Sequence, residues 1–136
     1  MIFNNFEEIE IGGTNYKLKY NFRAATTLEK ELGKNFVMDM LGNMQKGNTP
    51  SVLDAFKFFR LGFEEGNPKT DGWKESDVAE MFEAAVYDYS LLQLVAFCIK
   101  AYITAGFLES KPKKKLLPLG DLTEEASKAP DKPSGA

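Results

Sequence analysis

The chain has 136 residues, of which 43% are hydrophobic and 27% are charged, and its formal net charge is -3. This composition is typical of one globular domain with a hydrophobic core. The sequence has no histidine and a single cysteine, Cys98. It therefore excludes Ser-His-Asp and Cys-His catalytic groups, internal disulfides and zinc sites built on cysteine clusters. The acidic balance argues against a nucleic-acid partner, which needs concentrated lysine and arginine.

The sequence also lacks the patterns that direct a chain to a membrane. No apolar run reaches the ~20 residues that a membrane-spanning helix needs. The first ten residues, M-I-F-N-N-F-E-E-I-E, lack the basic flank and small-residue cleavage site of a secretory signal. We therefore expect a soluble protein of the cytoplasm without a membrane partner.

Two short alternating segments near the N-terminus predict a β-hairpin. In Phe6–Ile11 apolar residues alternate with glutamates, and in Tyr16–Tyr20 they alternate with lysines. The pair Gly12-Gly13 lies between them and suits a tight turn. A lone hairpin is marginally stable in water, so it must either pack on helices or be completed by a strand of another chain.

The strand pattern changes into a helix pattern at Phe22. From there the apolar residues recur every three or four positions, which predicts one buried helix stripe. Asn21 occupies the N-cap position, and Gly33 occupies the C-cap position that favours a left-handed backbone. The stripe consists of Phe22, Ala25, Leu28 and Leu32.

The segment Tyr16–Gly33, Y-K-L-K-Y-N-F-R-A-A-T-T-L-E-K-E-L-G, is followed by N-F-V-M-D-M-L. Together they resemble the N-terminal part of the tail assembly chaperones of long-tailed, siphovirus-like bacteriophages of Gram-positive hosts. The resemblance covers about the first third of the chain, and the order of elements is similar to about Phe107. It implies a hairpin followed by a small helical bundle. It also implies a protein that binds and solubilises the tape measure protein in the host cytoplasm and is absent from the mature virion.

The next two predicted helices carry unusual apolar faces. A methionine-rich helix follows Asn35, and a second helix starts at Thr49-Pro50-Ser51 and ends at Gly66. Each face fits either the core of a bundle or, in part, an adaptable docking surface. The first face consists of Phe36, Val37, Met40, Leu41 and Met44, and the second of Val52, Leu53, Phe56, Phe58, Phe59 and Phe63.

Two further helices are predicted after the loop Asn67–Gly72. The first follows Trp73–Ser76, where Trp73 is positioned to cover the first turn as a hydrophobic staple. A break at Tyr87–Ser90 precedes Leu91–Ile103, which is apolar on most sides and predicts a central or interface helix. Cys98 within it is expected to be a small buried hydrophobe. The inward residues of the first helix are predicted to be Val78, Met81, Phe82, Ala85 and Val86.

Beyond Leu108 proline, charged and small residues dominate the sequence, which predicts a folded domain of residues 1–108 and a disordered tail of residues 109–136. The tail segment L-L-P-L-G-D-L is either a short segment that docks on a partner or a chance apolar cluster. Lys113–Lys115 form a solvated charge run or, by the resemblance, mark a site of ribosomal slippage that yields a frameshift-extended form of the chain.

The sequence thus predicts a mainly α fold with a short N-terminal β-hairpin, a bundle of about five helices and a disordered C-terminal tail. No enzyme is expected, and no catalytic, cofactor-binding or metal-binding residue is predicted. The resemblance implies the tape measure protein as partner, with the tail tube protein and a frameshift-extended form as further partners, and a homo-oligomer. The alternative is a structural virion component, such as a head-tail connector or minor tail protein. The candidate partner-binding residues are Met40, Met44, Phe56, Phe59, Phe63, Phe107 and Leu108.

Overall fold

A computed structural model describes residues 5–108. In this range a two-stranded antiparallel hairpin precedes five helices, which confirms the predicted fold class. The predicted tail, the leucine segment and the lysine run lie outside the described residues. The elements are β1 (Phe6–Ile11), β2 (Thr14–Lys19), α1 (Phe22–Leu32), α2 (Phe36–Gln45), α3 (Val52–Gly66), α4 (Glu75–Tyr89) and α5 (Leu91–Thr104).

The hairpin packs on the helices of its own chain. Ile9 pairs with Tyr16 and Ile11 with Thr14 across the ladder, and both isoleucines are buried. The two turn glycines adopt positive φ angles of 59° and 84°, which matches the right-handed twist of a tight hairpin. The apolar faces of both strands lie against α3, α4 and α5. Of the two options left by the sequence, packing on helices is the one observed.

The outer edges of the hairpin are also occupied. The side-chain amide of Asn67 bonds to both backbone groups of Lys17. Its oxygen accepts from the Lys17 N–H at 3.2 Å, and its nitrogen donates to the Lys17 carbonyl at 2.8 Å. On the other strand, the Tyr89 hydroxyl donates to the carbonyl of Glu10 at 2.6 Å. The N–H of Gly12 donates to an Asp88 carboxylate oxygen at 2.9 Å. These bonds satisfy strand groups that would otherwise be open to pairing with another chain.

The junction between β2 and α1 matches the predicted caps. The Asn21 side chain accepts from the N–H of Ala24 at 2.8 Å, and Gly33 ends the helix with φ of 105°. Phe22 is a correction, because 74% of it is exposed although it was assigned to the buried stripe. The buried face of α1 instead runs through Ala24, Ala25 and Leu28.

Helix α3 lies at the centre of the domain, and β2 crosses its C-terminal half. A Cβ built on Gly62 would lie 2.5 Å from the Tyr20 ring, and one built on Gly66 would lie 2.3 Å from the Lys17 carbonyl oxygen. The two glycines therefore form a notch that admits the strand. The sequence predicted Gly66 only as a helix stop and gave Gly62 no role. Within the notch, the buried Tyr20 hydroxyl donates to the carbonyl of Phe58 at 2.6 Å.

Helix α4 begins just after Trp73. It starts at Glu75, with Lys74 in the N-cap position. Trp73 packs on Phe63 at a centroid distance of 5.0 Å, and its indole N–H donates to the carbonyl of Asn67 at 2.6 Å. Trp73 therefore packs against the C-terminal end of α3. The inward residues Val78, Phe82 and Ala85 are buried as predicted, while Met81 and Val86 are half-buried.

The predicted break between α4 and α5 is confirmed at Ser90. This residue has φ of 85°, and its hydroxyl accepts from the N–H of Gln93 as the N-cap of α5. The two helices meet at 109°. Helix α5 packs against the hairpin, α3 and α4, and Cys98 is buried as expected. The buried residues of α5 are Leu94, Val95, Cys98, Ile99, Ala101 and Tyr102.

Candidate partner-binding surface

Three of the seven candidate partner-binding residues belong to the core. Phe59 and Phe63 have no exposed surface, and Met40 is 6% exposed. Phe59 stacks on Phe63 at a centroid distance of 5.3 Å, and Phe63 also contacts Tyr16. Their side chains face other elements of the same chain, so they cannot contact a partner in this conformation. The docking interpretation of the phenylalanine stripe is therefore corrected for Phe59 and Phe63.

The remaining candidates are accessible to different degrees. Phe107 is 43% exposed, whereas Met44, Phe56 and Leu108 are half-buried. Phe107 and Leu108 line a small depression together with Met38 of α2, which is 55% exposed. Met44 lies on α2 outside that depression, and Phe56 lies on α3. The structure therefore divides the accessible candidates between separate surfaces.

Phe56 forms part of an apolar groove. The groove lies between the first turns of α3 and the first half of α4 and encloses about 600 Å³. Phe56 and Phe82 meet edge to face at 5.4 Å. Val52 and Leu53 of α3 are 62% and 60% exposed. The apolar lining consists of Val52, Leu53, Phe56, Ala79 and Phe82.

Carboxylates surround this apolar lining on the α4 side. Glu75, Glu80 and Glu83 all line the groove, and all three are exposed. An Arg60 nitrogen lies 3.6 Å from Glu75, but Arg60 makes its shorter contact, at 2.6 Å, with Glu64. The groove therefore combines an apolar floor with an acidic rim. Such a surface favours an occupant that has apolar side chains flanked by lysine or arginine.

Sequence reasoning found only one wall of this groove. It placed Val52 and Leu53 on the same face as the phenylalanines of α3, and that face fitted either the core or, in part, a docking surface. In the structure no described element covers the first turn of α3, so that these two side chains face solvent. On α4 the apolar pair Met81-Phe82 lies between Glu80 and Glu83, in E-M-F-E, and this is the sequence signal that could have indicated an apolar face bordered by carboxylates.

The ionisable groups with the largest pKa shifts lie in the core, away from the groove. Burial raises the pKa of the Cys98 thiol to about 12, and burial also raises the pKa of the Tyr20 hydroxyl well above its usual value. Residues 5–108 contain no group of three or more side chains placed to hold a metal ion. The surface therefore offers shape, apolar area and charge for binding.

Over the same range no single helix is long and apolar enough to cross a membrane. Only α4 and α5 taken together reach that length and composition, across their 109° bend.

Comparison with known proteins adds no relative. The chain matches no protein-family model, no curated protein and no solved structure.

Proposed function

We propose that this protein is a tail assembly chaperone of a long-tailed bacteriophage, which binds the tape measure protein and keeps it soluble until the tail tube assembles. The proposal rests on the resemblance of Tyr16–Gly33 and on the groove between α3 and α4, which is the observation that carries it. In this proposal the protein acts in the host cytoplasm, is released before the virion is complete and assembles in several copies along its client.

The groove suits an amphipathic helix. Such a helix presents apolar side chains at positions i, i+3, i+4 and i+7, and these insert into an apolar groove as anchors. Val52 and Leu53 are each about 60% exposed, so covering them contributes on the order of 1 kcal/mol each. Lysine or arginine residues beside the anchors would face Glu80 and Glu83, and salt should weaken this attraction because the glutamates are exposed.

One groove of this size gives weak binding, which fits a long client. A tape measure protein offers many helical turns, so that several copies can bind along it side by side. Contacts between neighbouring copies then raise the overall affinity without any stronger single contact. The depression lined by the exposed Met38 and Phe107 and the half-buried Leu108 lies away from the groove and is available for such contacts.

Co-expression with the tape measure protein encoded next to this chain tests the proposal. We expect the tape measure protein to become soluble and to co-elute with several copies of this chain in size-exclusion chromatography with light scattering. The double variant Val52→Ala/Leu53→Ala should lose this effect, because it truncates the two exposed large apolar residues of the groove. Phe22→Ala is the matched control, since Phe22 is 74% exposed and lies outside the groove.

Two outcomes contradict the proposal. If the tape measure protein still aggregates and this chain elutes alone, the chaperone function is excluded. If mass spectrometry finds this chain as a stoichiometric component of purified virions, it is a structural component such as a head-tail connector or minor tail protein.

A further inference from the structure

We propose that the groove between α3 and α4 is a docking site for the segment Lys113–Leu119 of the same chain. The three lysines of this segment face the acidic rim, and its three leucines cover the apolar floor. The sequence K-K-K-L-L-P-L is the occupant to which the groove is complementary in both charge and polarity.

In both the groove and the segment, charged residues stand directly beside apolar residues. The rim carries Glu75, Glu80 and Glu83 next to the exposed apolar residues of α3. Lys113–Lys115 is the only run of three adjacent cations in the chain, and leucines follow it directly. Opposite charges bring the segment to the groove and fix its orientation, while burial of the leucines stabilises the contact.

The segment can reach the groove within one molecule. Leu108 lines a depression that includes Phe36, and Phe36 also lines the neighbouring depression that ends at Ser51 and Asp54, in the first turn of α3. Taking each depression as about one helix width, about 10–12 Å, we estimate the path from Leu108 to the groove at roughly 20 Å. Leu116 lies eight positions after Leu108 in the sequence, and eight extended steps of the chain span up to about 29 Å.

Docking in the same chain has a direct consequence for the exposed apolar surface. The segment shields Val52 and Leu53 from other molecules at an effective concentration set by the short connection, which is in the millimolar range for short linkers. If the proposed chaperone function is correct, the client displaces this segment. The docking itself does not depend on that function.

A nitroxide label on the full-length chain tests the docking. Cys98 is buried and its thiol pKa is about 12, so a cysteine introduced by Gly120→Cys is the thiol that reacts with the label. We expect the label to reduce the amide NMR intensities of Val52–Phe56 and Ala79–Glu83. The intensities of the hairpin turn at Gly12–Thr14 should be retained. Uniform reduction, or reduction centred on another surface, overturns the proposal.

Mixing experiments separate docking within one chain from docking between chains. A nitroxide-labelled chain without ¹⁵N is mixed with a ¹⁵N-enriched chain that carries no nitroxide. Only contacts between molecules then reduce the amide intensities. We expect no reduction in the groove in this mixture. If the reduction appears there, the segment binds a second copy and docking within one chain is excluded.

A charge exchange tests the role of the rim. Lys113→Glu/Lys114→Glu/Lys115→Glu should abolish the reduction in the groove, and adding Glu80→Lys/Glu83→Lys should restore it. Glu29→Lys/Asp71→Lys is the control for the second step, because both residues are exposed, lie outside the groove and change the net charge equally. If the control pair restores the intensity reduction in the groove equally well, the specific contact between the segment and the rim glutamates is overturned. None of these measurements contains a tape measure protein, so they fail or succeed independently of the proposed function.

Discussion

The two ends of α3 differ in what covers them. At the C-terminal end, β2 lies in the notch of Gly62 and Gly66, and Trp73 closes the side of Phe63. At the N-terminal end, Val52 and Leu53 have the same apolar character but remain about 60% exposed. Both ends continue one helical stripe in sequence. The comparison teaches that a stripe becomes core only where another element approaches it closely enough to exclude water.

Removal of an aromatic side chain at the covered end should have the largest effect. Phe59→Ala deletes a fully buried ring that contacts Phe63 and Phe82, so it should lower the free energy of unfolding by about 3–5 kcal/mol. Leu53→Ala at the open end should change it by no more than about 0.5 kcal/mol. Urea unfolding followed by circular dichroism measures both. Equal losses would show that the two ends are covered alike.

Filling the notch should have the next largest effect. Gly62→Ala places a methyl group 2.5 Å from the buried Tyr20 ring, and such overpacking costs about 1–3 kcal/mol. Gly42→Ala in α2 is the matched control, because its Cβ meets nothing within 4 Å. There the higher helix propensity of alanine should stabilise the protein by about 0.5–1 kcal/mol. The unfolding temperatures of the two variants should therefore shift in opposite directions, and a stabilised Gly62→Ala would contradict the close approach of Tyr20 to α3.

Loss of the tyrosine hydroxyl tests how the strand is held in the notch. Tyr20→Phe removes the 2.6 Å bond to the Phe58 carbonyl and should lower the free energy of unfolding by about 1 kcal/mol. The carbonyl belongs to α3 and keeps its helical environment, which limits the loss. Tyr16→Phe, on a half-buried ring without such a bond among those described, should cost less. A larger cost at Tyr16 would mean that the bond is not what holds the strand.

A smaller effect is expected from pH at the closed end. The Arg23 guanidinium, 2.8 Å from Glu65, lowers the pKa of that carboxyl below its ordinary value, and the Asn21 amide assists. The ionised form is favoured in the folded state, so its stabilising contribution is present above the unfolded pKa of 4.5 and is lost as pH falls through the folded value. Because Arg23 is 78% exposed, we expect a contribution below about 1 kcal/mol.

Urea unfolding at a series of pH values from 6 down to about 3 measures this contribution. Glu65→Gln should reduce the decrease in stability over the acidic part of the range. Glu31→Gln, at an exposed position outside this ion pair, should leave the decrease unchanged. If both variants show the same decrease in stability with falling pH as the unsubstituted protein, the ion pair of Glu65 does not link α1 to α3.

Local patterns in the sequence determined the elements and their ends. Alternation in Phe6–Ile11, the cap at Asn21, the glycine at Gly33 and the break at Ser90 act over a few residues, through backbone conformation and nearby hydrogen bonds. For that reason the hairpin, the helices and the burial of Cys98 were predicted correctly from the sequence.

The tertiary structure decided which apolar residues became core and which remained a surface. Phe22, Val52 and Leu53 have the spacing of buried residues and are exposed, whereas Phe59 and Phe63 are fully covered. Spacing places a side chain on a face of its helix, but only the approach of a second element removes water from it. The groove forms only where α4 lies beside α3, and the notch forms only where Lys17 and Tyr20 approach Gly66 and Gly62. These meetings join residues far apart in sequence, which local patterns do not encode.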